Sequence, residues 1–223
     1  MQITWLGHAA FLIETDTEQG RVRIITDPYS SQTGYGPINE AANVVTLSHE
    51  NPKYHSCLDE LRREFEIVRG LEIVDQVIKV RGLRIGAVQV FENEQEEGPN
   101  TMLWLESRGL RVLHMGDVGH PLNDQHLAAC GDVDILLAPT GGTPTITLPD
   151  LKSFIDRLRP SVVIPMHYGT SKVDMKILTI EHFITLFAQD QIQREDTATL
   201  TIPSPILTRH SDQPIIHVLQ HAR

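Results

Sequence analysis

The 223-residue chain predicts an α/β fold in which two sheets pack face to face with helices on the outside. Short apolar runs bounded by glycines and polar turns dominate from Ile3 to Met115. The rhythm then changes to strand, helix, strand, and the amphipathic segments come late. No Pro/Gly/Ser-rich linker, low-complexity tract or fixed-period repeat divides the chain, so residues 1–223 are expected to form one domain.

Ile3–Leu6, Phe11–Thr15 and Val22–Thr26 read as strands, separated by a glycine and by the polar Asp16–Gly20 turn. Val44–Ser48 is a continuous apolar run, as expected of a strand covered on both faces. A helix is predicted over Leu58–Glu66. Two strands flank the Arg81-Gly82 turn, the second being Ile85–Phe91, and Met102–Glu106 pairs with Arg111–Met115 around Gly109. Ile135–Ala138 and Val162–Ile164 are strands around a helix, Leu151–Leu158, whose first turn holds Pro149 and Asp150. Ile177–Ala188 carries Ile177, Ile180, Ile184 and Phe187 at helical spacing. Strands Thr199–Ile202 and Ile215–Leu219 close the pattern.

Nineteen Lys and Arg against 29 Asp and Glu give a net charge of −10, and no basic stripe is present. That balance disfavours a grip on phosphate backbones, so no nucleic-acid partner is expected. No apolar run approaches the ~18 residues needed to cross a bilayer, and no membrane partner is expected. The apolar N-terminus lacks a basic n-region and is followed by Glu14, Asp16 and Glu18, so it reads as a hairpin. Cys57 and Cys130 cannot make a disulfide framework. Together these point to the cytoplasm.

Four polar residues share a position in this pattern. His49, Glu92, Asp117 and His167 each follow a buried-looking strand at its carboxyl end, where α/β sheets gather ligand sites. Two imidazoles and two carboxylates suit a divalent metal such as zinc. Such an ion lowers the pKa of a bound water to about 7. The other histidines read differently: His114 as a hydrogen-bonded core residue, His126 and His182 as helix positions, and His210, His217 and His221 as parts of an unpatterned tail. Glu94, Glu96 and Glu97 form a solvated acidic loop.

Four segments carry a family resemblance: the run Met1 to Thr15 with Trp5-Leu6-Gly7-His8, Ile24-Ile-Thr-Asp-Pro28, Leu113-His-Met-Gly-Asp117 and Val163-Ile-Pro-Met-His-Tyr168. Gly98-Pro-Asn-Thr101 and Pro139-Thr-Gly-Gly142 add to them. In this order they resemble the metallo-β-lactamase superfamily, in particular its L-ascorbate-6-phosphate lactonase-like branch of metal-dependent hydrolases. The resemblance implies a four-layered αβ/βα sandwich with the site along one edge. It places Asp27 and His8 at the base of that site as hydrogen-bond partners of ligands, against the plainer alternatives of a turn aspartate and a hairpin histidine. Asn100 falls among the substrate-side or supporting residues. Tyr168 either donates to a substrate oxygen or caps its strand.

The family motif His-x-His-x-Asp-His is altered in this chain. His49 matches its first histidine, but Asn51, Lys53 and Tyr54 stand where the second histidine, the aspartate and the last histidine belong. A one-residue slip brings His55 into the last place. Glu92 replaces the histidine of the third strand. The two-metal site is therefore expected to be lost, leaving at most one zinc or manganese ion on His49, Glu92, Asp117 and His167, or none. Lys53 is expected to take the second metal's electrostatic place and to pair with Asp117.

Three readings follow. One is a hydrolase of a small ester, lactone or phosphate-bearing molecule, with Glu92 or Asp117 as metal ligand or general base. Another is a metal-free relative that binds small molecules or assembles, with Asn51, Lys53 and Tyr54 lining a polar pocket. The third is metal-free acid/base chemistry by Lys53, Tyr54 and Glu92. The expected partner is a small molecule, and the resemblance leaves a homo-oligomer open, since relatives in this branch often self-associate.

Overall fold

The computed structural model describes residues 1–62, 64–173, 175–203 and 213–223. His210 lies outside them. Strands β1 (Gln2–Gly7), β2 (Ala10–Thr17) and β3 (Gly20–Thr26) form an antiparallel meander, and β4 (Val44–Leu47) and β5 (Glu66–Arg69) then add in parallel. A second meander runs through β6 (Val77–Val80), β7 (Leu83–Phe91), β8 (Pro99–Ser107) and β9 (Leu110–His114). Helix α1 (Asp124–Cys130) leads to β10 (Ile135–Pro139), and α2 (Leu148–Leu158) leads to β11 (Val162–Met166); both strands join the second sheet in parallel. After α3 (Ile180–Ile184) come β12 (Ile192–Arg194), β13 (Thr199–Thr201) and β14 (Ile215–Val218). The first sheet has the order β13-β1-β2-β3-β4-β5 and the second β12-β14-β11-β10-β9-β8-β7-β6.

The period-2 alternation of each strand sorts its side chains into layers. Leu103 and Leu105 of β8 meet Ile3, Trp5, Phe11 and Ile13 between the sheets. Met102 and Trp104, the intervening residues, face outward and pack with Leu151, Phe154 and Ile155 of α2. Burying a side chain as large as Phe154 contributes about 2–3 kcal/mol. The outer face of the first sheet, with Leu6, Leu12, Ile25 and Val45, is covered by Tyr29, Tyr35, Ile38 and Leu61 from the long β3–β4 and β4–β5 connections.

Two predicted helices differ in the structure. Leu58–Glu66 holds no helix among its described residues. Glu64 sits at φ +96, a left-handed conformation that a helix does not admit, and the backbone N–H of Glu66 bonds to Asn43 to open β5. The helix predicted over Ile177–Ala188 shrinks to α3. Leu178 donates its N–H to Gly141 and accepts from Gly169, so those backbone groups are spent on loop contacts before the helix begins. Of the predicted stripe, Ile180, Ile184 and Phe187 still pack on the core, joined by Phe183, while Ile177 is not part of that cluster.

Candidate metal centre

Six strands deliver polar residues to one edge of the sandwich, each at a carboxyl end. His8 follows β1, Asp27 β3, Ser48 and His49 β4, Glu92 β7, Asp117 β9 and His167 β11. The strand ends leave little backbone freedom. His8, Asp27 and His167 sit at φ +49, +39 and +49, conformations costing about 1–3 kcal/mol each that persist only where surroundings enforce them. Enforcement is visible at His8, whose carbonyl accepts from the His167 N–H at 3.1 Å and from Trp5 Nε1 at 2.9 Å.

Asp27, fully buried, organises the histidines behind the site. Its Oδ1 accepts from the Ser48 N–H at 2.8 Å, and its Oδ2 accepts from Ser48 Oγ at 2.5 Å and from His55 Nδ1 at 3.1 Å. Since the Ser48 hydroxyl donates to Asp27, it accepts from His49 Nδ1 at 2.9 Å. Both rings are thereby turned with Nε2 toward the front. His55 Nε2 lies 2.9 Å from Asp117 Oδ2, and His167 Nε2 lies 3.4 Å from Asp117 Oδ1. His49 Nε2 is 3.6 Å from Oε1 of Glu92, which is half exposed at the rim. His114 stays in the core, with Nε2 donating to Ala9 O at 2.8 Å and Nδ1 accepting from Gly116 N at 3.1 Å.

Burial is the largest cause that lowers the pKa of His8, His49 and His167, and neighbouring imidazoles add to it. All three therefore hold a lone pair at neutral pH. Burial also works against a charged His55, but Asp117 and Asp27 outweigh it and raise its pKa to about 10. Burial opposes the charged form of Asp117, yet His55 and His167 hold it well below the usual carboxylate range. Burial and the nearby Asp117 charge push Glu92 up.

Among the described residues, Nε2 of His8 and His49, Oδ1 of Asp117 and Nδ1 of His167 are buried without a hydrogen bond, and His55 Nε2 meets only Asp117. Orphaned polar atoms are costly and rare in folded proteins, and a cluster of nitrogens around a carboxylate is the donor chemistry of zinc-type ions. These residues fit a divalent metal.

A family profile described as a β-lactamase superfamily domain matches residues 2–167. The chain belongs to the β-lactamase superfamily. A UPF0173 protein of Pyrococcus abyssi is 29% identical over 185 residues, covering 76% of this chain and 84% of its own. A UPF0173 metal-dependent hydrolase of Archaeoglobus fulgidus is 26% identical over 202 residues, with the same coverage of both chains. The fold matches the crystal structure of a candidate zinc-dependent hydrolase of the metallo-β-lactamase superfamily from Thermotoga maritima. That match has a TM-score of 0.78 and 30% identity, over 98% of this chain and 99% of the other. The two-sheet sandwich is thus the metallo-β-lactamase fold.

Within this superfamily frame, the altered motif is resolved by one turn. The Asn51 carbonyl accepts from the N–H groups of Tyr54, His55 and Ser56, and its Oδ1 accepts from Tyr54 N at 3.3 Å. This tight turn directs the ring of His55, not that of Tyr54, onto Asp117. Asn51 is a turn-former here and not a pocket-lining amide. Lys53 does not replace a metal: it is exposed, and its ammonium lies 4.8 Å above the Tyr54 ring while His55 pairs with Asp117. Tyr54 in turn packs 5.2 Å from the His8 ring. Tyr168 belongs to the inter-sheet core, its ring 5.0 Å from Trp5, so it is neither a substrate donor nor a strand cap. Asn100 is fully buried beside Gly116, with Oδ1 accepting from Thr101 N.

Sequence reasoning gave His8 and His55 secondary places, and both stand among the central donors. A small recess of about 120 Å³ beside the site is lined by Leu47, His49, Arg69, Gly70 and Leu71. A larger cleft of about 450 Å³ lies at the opposite ends of the strands, around the Arg81-Gly82 turn. Its cations are largely answered, Arg84 by Glu106 and Arg81 by Glu66.

Proposed function

We propose that this protein hydrolyses a small ester, lactone or phosphate-bearing molecule with one zinc or manganese ion. The observation that carries this reading is the gathering of four buried imidazoles, those of His8, His49, His55 and His167, around Asp117. The names of the UPF0173 relatives and of the Thermotoga structure support it. His167, Asp117 and His55, once His55 gives up its Nε2 proton to the solvent, would hold the ion, with His49 and Glu92 beside them. A bound divalent ion makes hydroxide available at neutral pH.

The rest of the work falls to the chain's own residues. Asp27 fixes His55 directly and His49 through Ser48, so neither ring can turn away from the front. Glu92, half exposed and with a raised pKa, accepts a proton from the attacking water and returns it to the leaving group. The recess by Leu47 and Leu71 has room for one short apolar arm, which suits a small substrate. The −10 charge and the exposed acidic loop argue against a polyanion.

A second reading, a metal-free binding module, draws on one observation. His55 already bridges Asp27 and Asp117, and an imidazolium there supplies a positive charge where the ion would be. Metal content of untagged protein, grown with added zinc and manganese, separates the two. About one equivalent, lost in Asp117→Asn, supports the hydrolase and directs screening to lactones and phosphate esters. A value near zero supports the binding module.

A further inference from the structure

We infer that His8 is a direct metal ligand, completing with His55, His167 and Asp117 a mononuclear centre that replaces the family's motif-based pair. The inference rests on the metal-dependent reading above and assigns its ligands.

The altered motif creates the need. With Lys53 turned out over Tyr54 and Asn51 spent on its own turn, the motif supplies only His49 and His55. His8 stands against both imidazoles that face Asp117. Its ring is 4.2 Å from that of His167 and 5.1 Å from that of His55, and the residue is 2% exposed. One donor atom from each of His8, His55 and His167 can be chosen so that all lie within 4.8 Å of one another. Asp117 stands between two of them, at 2.9 Å from His55 and 3.4 Å from His167. The backbone at His8 is also fixed twice over, by Trp5 and by His167, in a left-handed conformation that aims the ring inward.

A rival trio, Asp27, His49 and His55, has equally close donors. Its carboxylate is already committed, because Asp27 accepts from Ser48 N, Ser48 Oγ and His55 Nδ1. Ser48 likewise engages His49 Nδ1. That trio is tied together by hydrogen bonds at Asp27 and at both Nδ1 atoms, whereas His8 Nε2 has no hydrogen-bond partner among the described residues and shares its surroundings with His55 and His167, which both meet Asp117. Three imidazoles and one carboxylate select a borderline ion such as zinc over calcium or magnesium, which prefer oxygen. His49 and Glu92 are then outside the ligand set and free to handle protons.

The test is a count of imidazole ligands by X-ray absorption on the zinc protein, with zinc affinity from competition against a chromophoric chelator. Wild type should show one zinc with three imidazoles. His8→Asn should fall to two and bind at least 100-fold more weakly, while His49→Ala should keep three. No zinc in the wild type overturns the metal-dependent reading itself. Bound zinc with affinity unchanged in His8→Asn overturns only the assignment of His8. Should His8→Asn fail to fold, His49→Ala decides alone: three imidazoles uphold the assignment, and two reject it.

Discussion

Nδ1 of His55 lies 3.1 Å from Oδ2 of Asp27, and neither side chain reaches solvent. The pair joins the motif turn to the end of β3 and fixes the ring orientation of the residue that faces Asp117. Asp27→Asn removes an acceptor that serves Ser48 and His55 together. Zinc affinity should fall about 10–100-fold, the cost typical of removing such a supporting group. Calorimetric zinc titration checks this, and an unchanged affinity would contradict the role given to Asp27.

Gly116 sits at φ +59, and a Cβ there would lie 2.7 Å from Asn100 Oδ1 and 2.8 Å from Ser48 Cβ. Gly116→Ala should therefore destabilise the fold by about 2 kcal/mol or more and displace the neighbouring Asp117. Denaturant unfolding measures the first effect and metal content the second.

Glu106 is held below the ordinary carboxylate range: burial works against this, but Arg111 and Arg84 outweigh it at 2.7 and 2.8 Å. A depressed carboxylate stabilises the fold above its unfolded pKa and loses that contribution as pH falls through the folded one. Glu106→Gln should cost about 1 kcal/mol or less at pH 7. The gap to wild type should close below about pH 4, as seen in urea unfolding across that range. A gap that widens on acidification would refute the sign.

Phe154 of α2 is buried against the outer face of the second sheet. Phe154→Ala should lose about 3–5 kcal/mol from transfer and cavity terms together. Thermal unfolding reads the loss directly, and the metal site, on another face, should keep its stoichiometry in the fraction that stays folded.

The strand ends at His49, Asp117 and His167 were legible because each follows an apolar run, and hydrophobic burial is written in residue type. Position in a turn is not. His55 faces Asp117 because Asn51 winds the backbone through three hydrogen bonds, and nothing in Pro52-Lys53-Tyr54 states which ring will point inward. His8 was harder still: its left-handed φ is held by Trp5, three residues before it, and by His167, which lies far along the chain. Lys53 and Tyr168 were misread for the converse reason. Both lie beside site residues in the chain, yet one stacks in solvent on Tyr54 and the other faces Trp5 in the core. The Leu58–Glu66 helix failed because strand pairing at Glu66 outbid local propensity.

The donors come from both sheets, His8 and His55 from the first and its connections, Asp117 and His167 from the second, and a backbone bond from His167 to His8 crosses between them. A half-folded chain with one sheet intact therefore holds only part of the constellation. Ion capture and the docking of the two sheets become a single equilibrium. An ion at this edge would act as a rivet between halves whose residues are far apart along the chain, so that a chain able to bind it is one whose two sheets have docked.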